Sequence, residues 1–237
     1  MIKVRGLDKR FGHRSVIQSL DFDLKKGEFS ALLGPNGVGK TTFLHILASL
    51  SRPTRGLIRI GSYQVPEQIQ IVRRQIGLVS HQPFVYRELT GEENLEFFCR
   101  LYGVKDSRKK IEELLDLLNL NSRKTDLVRT YSRGMLQRLS VARALVHSPA
   151  LLLLDEPFTG LDQESGRVLE TTLQSLTASG VSILMTSHDL IRVSKLVDRV
   201  DILFRGNISS SISNRDNSLP KLMNAYQAAV RSQEGSQ

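Results

Sequence analysis

Apolar and polar positions along this chain change their period several times, and each change predicts an element. Residues 2–33 carry β-compatible runs, Ile2 to Arg5, Val16 to Phe22 and Phe29 to Leu33, broken by turn residues at Gly12 and Lys26-Gly27. After a glycine-rich stretch, Phe43, Leu44, Ile46, Leu47 and Leu50 recur at helical spacing. Arg52 to Gly56 interrupts that pattern. Leu57 to Ile60 and Ile76 to Ser80 then predict two short strands; the second ends at His81-Gln82-Pro83, where proline cannot donate to a ladder.

From about residue 83 to 148 the period is helical. Thr90-Gly-Glu-Glu93 has the form of a capping box, and Leu95, Phe98, Leu101 and Tyr102 follow it at helix spacing. Ile111, Leu114, Leu115, Leu117 and Leu118 mark a second helix. A third starts near Ser132 and runs through Leu136, Leu139, Ala142 and Leu145. The block reads as an all-helical insertion between strands. Four consecutive leucines, Leu151 to Leu154, then predict a strand buried on both faces, as in a parallel sheet under helices. A helix from about Gln163 to Ser179, a strand from Val181 to Met185 and a further helix follow. A hairpin of Val200 to Phe204 and Ile208 to Ile212 turns at Gly206-Asn207. The Ser/Asn-rich stretch 209–218 reads as loop, Leu219 to Val230 as a last helix, and Arg231 to Gln237 as a disordered tail.

The pattern predicts an α/β fold: a mostly parallel core sheet, N-terminal antiparallel strands and an all-helical subdomain. The expected division is one domain over 1–212, with the helical part at about 83–148 inserted, and a C-terminal helix and tail over 213–237.

The glycine-rich stretch carries the chemistry. Gly34-Pro35-Asn36-Gly37-Val38-Gly39-Lys40-Thr41-Thr42 lies between a predicted strand and a predicted helix, and its Gly-x-x-x-x-Gly-Lys-Thr spacing is the P-loop pattern. Triphosphate oxygens need many donors in a small volume. Glycines let successive backbone N–H groups turn inward as an anion nest, and the helix that follows presents its unpaired N–H groups and the positive end of its dipole. Lys40 is expected to place a charge at the β- and γ-phosphates, and the Thr41 hydroxyl to hold Mg²⁺. Asp155 and Glu156 close the leucine strand. Paired carboxylates at a buried strand end are costly unless a cation or a proton-transfer task compensates. Asp155 is therefore assigned to Mg²⁺, through water, and Glu156 to polarising the attacking water. Phe11, in the predicted turn Lys9 to Gly12, can stack on an adenine ring.

Composition adds limits. The chain has 237 residues, 40% of them hydrophobic and 24% charged, enough for one large domain or a domain with a subdomain. A single cysteine, Cys99, falls in an apolar helical pattern, which excludes an internal disulfide and assigns it to core packing. No apolar run approaches membrane-spanning length, and the opening MIKVRGLDKR lacks the apolar core of a signal peptide. A net charge of +9 leaves nucleic acid or an anionic membrane surface open as a partner.

With P-loop, helical insertion and acidic pair in that order, the chain resembles the nucleotide-binding domain of ATP-binding-cassette (ABC) proteins up to about residue 212. The resemblance implies a P-loop ATPase fold of ABC type, ATP and Mg²⁺ as cofactors, and roles for further residues. Phe11 resembles the adenine-stacking aromatic. Gln82 is similar to the glutamine that contacts Mg²⁺ and water and senses the transport subunit. Asp155 and Glu156 match the metal-binding aspartate and the catalytic glutamate. Thr159 to Asp162 looks like the loop that follows them, with Asp162 counted among the nucleotide contacts. His188 looks like the switch histidine at the γ-phosphate. The signature segment departs from the family's Leu-Ser-Gly-Gly-Gln and reads Tyr131-Ser132-Arg133-Gly134-Met135. Ser132 and Gly134 remain as contacts to ATP held by a second subunit; Arg133 either adds charge at that phosphate or points to solvent.

The implied mechanism is a head-to-tail dimer, a homodimer by expectation, working on the cytoplasmic face of a membrane through an integral permease subunit. No nucleic-acid partner is expected. Phe84, Val85 and Tyr86 are expected to line the groove that receives the permease. No long coiled coil, second cassette or Asn-Lys-x-Asp base-reading motif is present. The runner-up is a free-standing ABC ATPase acting on a soluble assembly. Val128 to Met135, with Leu154 to Asp162, resembles haem-exporter ATPases of cytochrome c maturation.

Overall fold

The structure is a computed structural model that describes residues 1–213 and 219–231. Its N-terminal third forms an antiparallel sheet. β1 (Ile2–Phe11) pairs with β2 (Arg14–Leu24) on one side and β4 (Arg55–Ile60) on the other, and β5 (Tyr63–Val65) completes the order β2-β1-β4-β5. The second sheet has the order β10-β9-β3-β8-β7-β6. It comprises β3 (Phe29–Leu33), β6 (Ile76–Val79), β7 (Leu151–Asp155), β8 (Ser182–Thr186), β9 (Arg199–Phe204) and β10 (Asn207–Ser213). Every pair from β9 to β6 is parallel; β10 alone runs antiparallel, joined to β9 by a hairpin.

The leucine strand shows why the layers form. Leu151 and Leu153 point into one core, with Phe43, Leu44 and Leu47 of α1 (Lys40–Leu47) and the inward residues of the antiparallel sheet. Leu152 and Leu154 point into the other core, under α3 (Gly91–Tyr102), α4 (Ser107–Leu117), α5 (Arg133–Leu145) and α6 (Gln163–Ala178). The period-2 alternation of a strand thus serves two apolar layers at once, and no polar face remains. The expected mostly parallel core, antiparallel N-terminal strands and helical block are all present. At the start of α3, Thr90 and Glu93 close a capping box: Thr90 N donates to the Glu93 carboxylate and Glu93 N to the Thr90 hydroxyl.

Several expectations are corrected. β1 continues through Gly6 to Phe11, so Phe11 ends a strand and does not sit in a turn. Register shifts along β1 and β2 break the alternation that would have revealed their full length. β5 and α2 (Ile69–Arg73) are too short to give a periodic signal. Residues 209–213 belong to β10 and not to a loop; β10 is an edge strand with alternating exposure, where serines cost little. Residues 214–218 and the tail beyond Arg231 lie outside the described residues. α7 (Leu190–Leu196) and α8 (Leu219–Arg231) complete the fold, and Leu222 of α8 is buried in the second core.

Candidate functional site

The functional site lies beyond the carboxyl ends of the central parallel strands, where open α/β sheets place ligands. β3 ends at Leu33 and the chain turns through Gly34 to Gly39 into α1. Gly34 permits the turn because a Cβ there would stand 2.4 Å from the Leu203 carbonyl oxygen. No side chain caps α1, and no acidic residue occupies its first turn. Its leading N–H groups and positive dipole end therefore face the cavity with no acidic side chain of the helix itself competing. Lys40 is 7% exposed, and its ammonium donates to the carbonyls of Gly34 (2.6 Å) and Pro35 (3.1 Å). Burial pushes its pKa down, while Glu156 and then Asp155 pull it back up, so the charge is held by the two carboxylates opposite.

Asp155 and Glu156 stand at the end of β7, on the far side of β8 from the P-loop strand. Thr186 of β8 organises them: its hydroxyl donates to Asp155 Oδ1 (2.7 Å) and accepts from Glu156 N (2.9 Å). Thr41 Oγ1 donates to the same Asp155 Oδ1 at 3.2 Å. Glu156 has φ of 50°, a left-handed backbone that non-glycine residues rarely adopt and that tends to occur where surrounding structure fixes a functional side chain. Its Oε2 contacts His188 Nδ1 at 2.8 Å and Thr159 Oγ1 at 3.4 Å. These groups line a cavity of about 640 Å³ with Gly34 to Gly37, Gly39 to Thr42, His81, Arg14, Val16 and Tyr226, a volume suited to a nucleotide.

The P-loop residues, Glu156 and His188 are thus brought together, and Asp155 borders them through Thr41. Gln82 is not: its side chain is exposed and lines neither this cavity nor the adjoining crevice, and its main-chain carbonyl accepts from Ser80 Oγ. His81 takes that place, with Nε2 3.3 Å from Asp155 Oδ2. Phe11 is 54% exposed beneath the Lys9 ammonium and does not line the cavity; Arg14 and Val16, three and five residues on, do. Ser132, Gly134 and Asp162 also lie outside it. Ser132 caps α5 by accepting from Met135 N, and Asp162 caps α6 by accepting from Ser165 N. That backbone bond is the main cause of the lowered Asp162 pKa. Arg133 is exposed, as one of its two expected placements has it, and its guanidinium also lies next to Gly160. Arg14 and Tyr226 gave no sequence signal, because neither belongs to a motif and both are remote from the P-loop in sequence.

The donor set fits a magnesium-bound triphosphate. Asp155 Oδ2 is buried with no hydrogen bond, its nearest polar neighbour being the His81 ring at 3.3 Å, and a hydrated cation would meet it there. Among the described residues no cluster of three or more His, Cys, Asp or Glu could hold a metal alone. That suits Mg²⁺, which binds through one or two protein oxygens together with substrate phosphates and water.

Parallel strands, a glycine-rich turn aimed at a helix N-terminus and a paired acid across the sheet define a P-loop nucleoside triphosphatase. The ABC transporter family pattern matches residues 17–159, and the chain belongs to that family as an ATP-binding subunit with ATPase activity. A linearmycin resistance ATP-binding protein of Bacillus subtilis (strain 168) is 33% identical over 210 residues, 88% of this chain and 68% of that protein. A daunorubicin resistance ATP-binding protein of Streptomyces coeruleorubidus is 36% identical over 209 residues, 87% of this chain and 66% of that protein. The chain therefore spans about two thirds of the length of these relatives. A dimeric ATP-binding cassette in a post-hydrolysis state, bound to ADP and Pi, superposes with a TM-score of 0.83 at 26% identity, covering 91% of this chain and 99% of that one.

Proposed function

We propose that this chain is the ATP-hydrolysing subunit of an exporter, working as a head-to-tail dimer that drives a separate membrane permease from the cytoplasmic face. One observation carries the reading. The P-loop cavity gathers Lys40, Thr41, Glu156 and His188, while Ser132, Gly134 and Asp162 sit elsewhere on the same chain. A second copy, turned head to tail, brings those three to the open side of the pocket. The neighbour of similar fold is itself dimeric, which supports the arrangement.

In this reading the P-loop N–H groups and Lys40 bind the phosphates, and Thr41 and Asp155 would hold Mg²⁺, which would neutralise phosphate charge; Gln82 would join them only by turning in from its exposed position. Phe11 stacks on the base from the flank of the cavity. Glu156 takes a proton from the attacking water, and His188, already on Glu156 Oε2, steadies that carboxylate and reaches the γ-phosphate. No described helix is long and apolar enough to cross a membrane. Exposed Phe84 and Tyr86, with Phe97, form the apolar face offered to the permease. Drug-resistance relatives favour export. Haem export remains one cargo within this reading, resting on segment likeness alone; the relatives reported above are named for other compounds.

Glu156→Gln tests the scheme. Removing the base while keeping the side-chain shape traps the ATP-bound dimer, seen by light scattering as a doubling of mass with MgATP. A variant that stays monomeric at saturating MgATP rules out the two-chain pocket. Co-purification in detergent with a multi-span protein supports the transporter reading; recovery only with soluble proteins favours the free-standing alternative.

A further inference from the structure

The first turn of α5 touches the loop between β7 and α6 at two points. The Arg133 guanidinium sits over Gly160: a Cβ on that glycine would stand 2.4 Å from the Arg133 Cζ, 2.5 Å from Nη1 and 2.7 Å from Nε. Gly160 has φ of +72°, a left-handed backbone that favours glycine, and a side chain there would also displace the guanidinium above it. The next residue of α5, Gly134, presses on the first turn of α6 and on its cap, Asp162, where the loop ends. A Cβ there would be 2.1 Å from Ser165 Oγ and 3.2 Å from Asp162 Oδ2. At its near end the loop is tied to Glu156, through Thr159 N to the Glu156 carbonyl (3.2 Å) and Thr159 Oγ1 to Oε2 (3.4 Å). Arg133, Thr159 and Glu156 line one crevice of about 230 Å³ that adjoins the nucleotide cavity. The α5 turn and the loop carrying the base are therefore one contiguous body within a single chain.

From this packing we infer that Arg133 is a positioning residue for the Glu156–Asp162 loop of its own chain, its guanidinium stacked on Gly160. A planar guanidinium can lie on the flat face of a glycine peptide while keeping its N–H edge hydrated; a lysine ammonium cannot. The inference rests on the two-chain reading above. There Ser132 and Gly134 face the partner's triphosphate, so the same helix turn meets one nucleotide outward and holds the other site's base inward. Filling one pocket then restrains the catalytic loop of the opposite pocket through Arg133.

The test uses the full chain with Arg133→Gly, Arg133→Lys, Gly160→Ala and the double variant Arg133→Gly/Gly160→Ala. Amide hydrogen exchange over residues 159–161 is measured without nucleotide, alongside kcat and KM for ATP. Both Arg133 variants are expected to speed exchange in that loop. Both should lower kcat by roughly ten- to a hundredfold, the scale of a misplaced catalytic group, with KM changed by less than about twofold. Gly160→Ala should cost more in the wild-type background than in Arg133→Gly, the signature of direct coupling. Unchanged loop exchange in Arg133→Gly overturns the inference. So does an Arg133→Lys variant that keeps wild-type kcat, which would make charge at the partner's phosphate the role of this residue. Ser132→Ala in the Glu156→Gln background separates the two readings. A dimer as stable as the parent's removes the two-chain pocket and, with it, the coupling between pockets, whereas a lost dimer together with unchanged loop exchange in Arg133→Gly removes only the Arg133 role.

Discussion

At the scale of single residues, the site is a set of side chains fixed by hydrogen bonds to one another and to the backbone. Glu156 is held by backbone strain, by Thr186 at its amide and by His188 at its carboxylate. Lys40 is buried and pinned to two carbonyls. Lys40→Ala is expected to lower ATP turnover by roughly a hundredfold or more, the scale of losing one preorganised donor to a charged transition state. The far-UV circular dichroism spectrum should stay unchanged; a normal rate would refute the P-loop assignment. For His188→Ala, kcat should fall, with nucleotide affinity of the free chain kept, because the ring touches Glu156 and is 62% exposed at the cavity wall. Steady-state kinetics with a fluorescent-nucleotide titration distinguish the two effects. The residue scale also holds the clearest surprise. His81, not Gln82, stands at Asp155, because the strand end fixes which of two neighbouring side chains turns inward, and spacing alone cannot resolve one residue.

Among the elements, α5 and the residues just past its end do most to join the helical block to the sheet. Arg143 donates to the Leu78 carbonyl, and His147 Nε2 lies 3.0 Å from the Ile76 carbonyl. The His147 ring stacks on Tyr102 at 4.0 Å, and Nδ1 is buried without a partner. Burial, with help from Arg143 and Lys110, pushes its pKa below the ordinary 6.5, although the Ile76 bond works the other way. The folded state thus prefers the neutral ring. Its contribution to stability is complete above pH 6.5 and is lost as pH falls through the lowered folded value. Denaturant unfolding at a series of pH values should show a decline below pH 6.5 that is shallower in His147→Gln; identical slopes would remove His147 from that transition. The capping box gives a second check. Thr90→Ala should reduce unfolding free energy by about 1 kcal/mol, measured by urea titration, because it frees the Glu93 amide. That element was legible in the sequence, since cap and apolar repeat are local. β5 and α2 were not, because three and five residues carry no period.

Over the whole molecule, two cores share one sheet, and the helical block keeps a cluster of exposed aromatic side chains. Phe84, Tyr86 and Phe97 are 49%, 48% and 41% exposed, with Tyr86 and Phe97 edge to face at 5.0 Å. Tyr86→Ser with Phe97→Ser is expected to abolish co-purification with the permease while ATP binding by the free chain persists. Retention of the complex would place the permease elsewhere. The sequence by itself determined the P-loop, the acidic strand end, the doubly buried leucine strand and the helical insertion, because each depends on neighbours within a few residues. Only the tertiary structure decided that Thr186 aligns the acidic pair, that Arg14 and Tyr226 wall the cavity, and that Arg133 rests on Gly160. Those contacts join residues 27 to more than 190 positions apart in the chain, and such pairings are set by how sheets and helices pack, a property that no local period records.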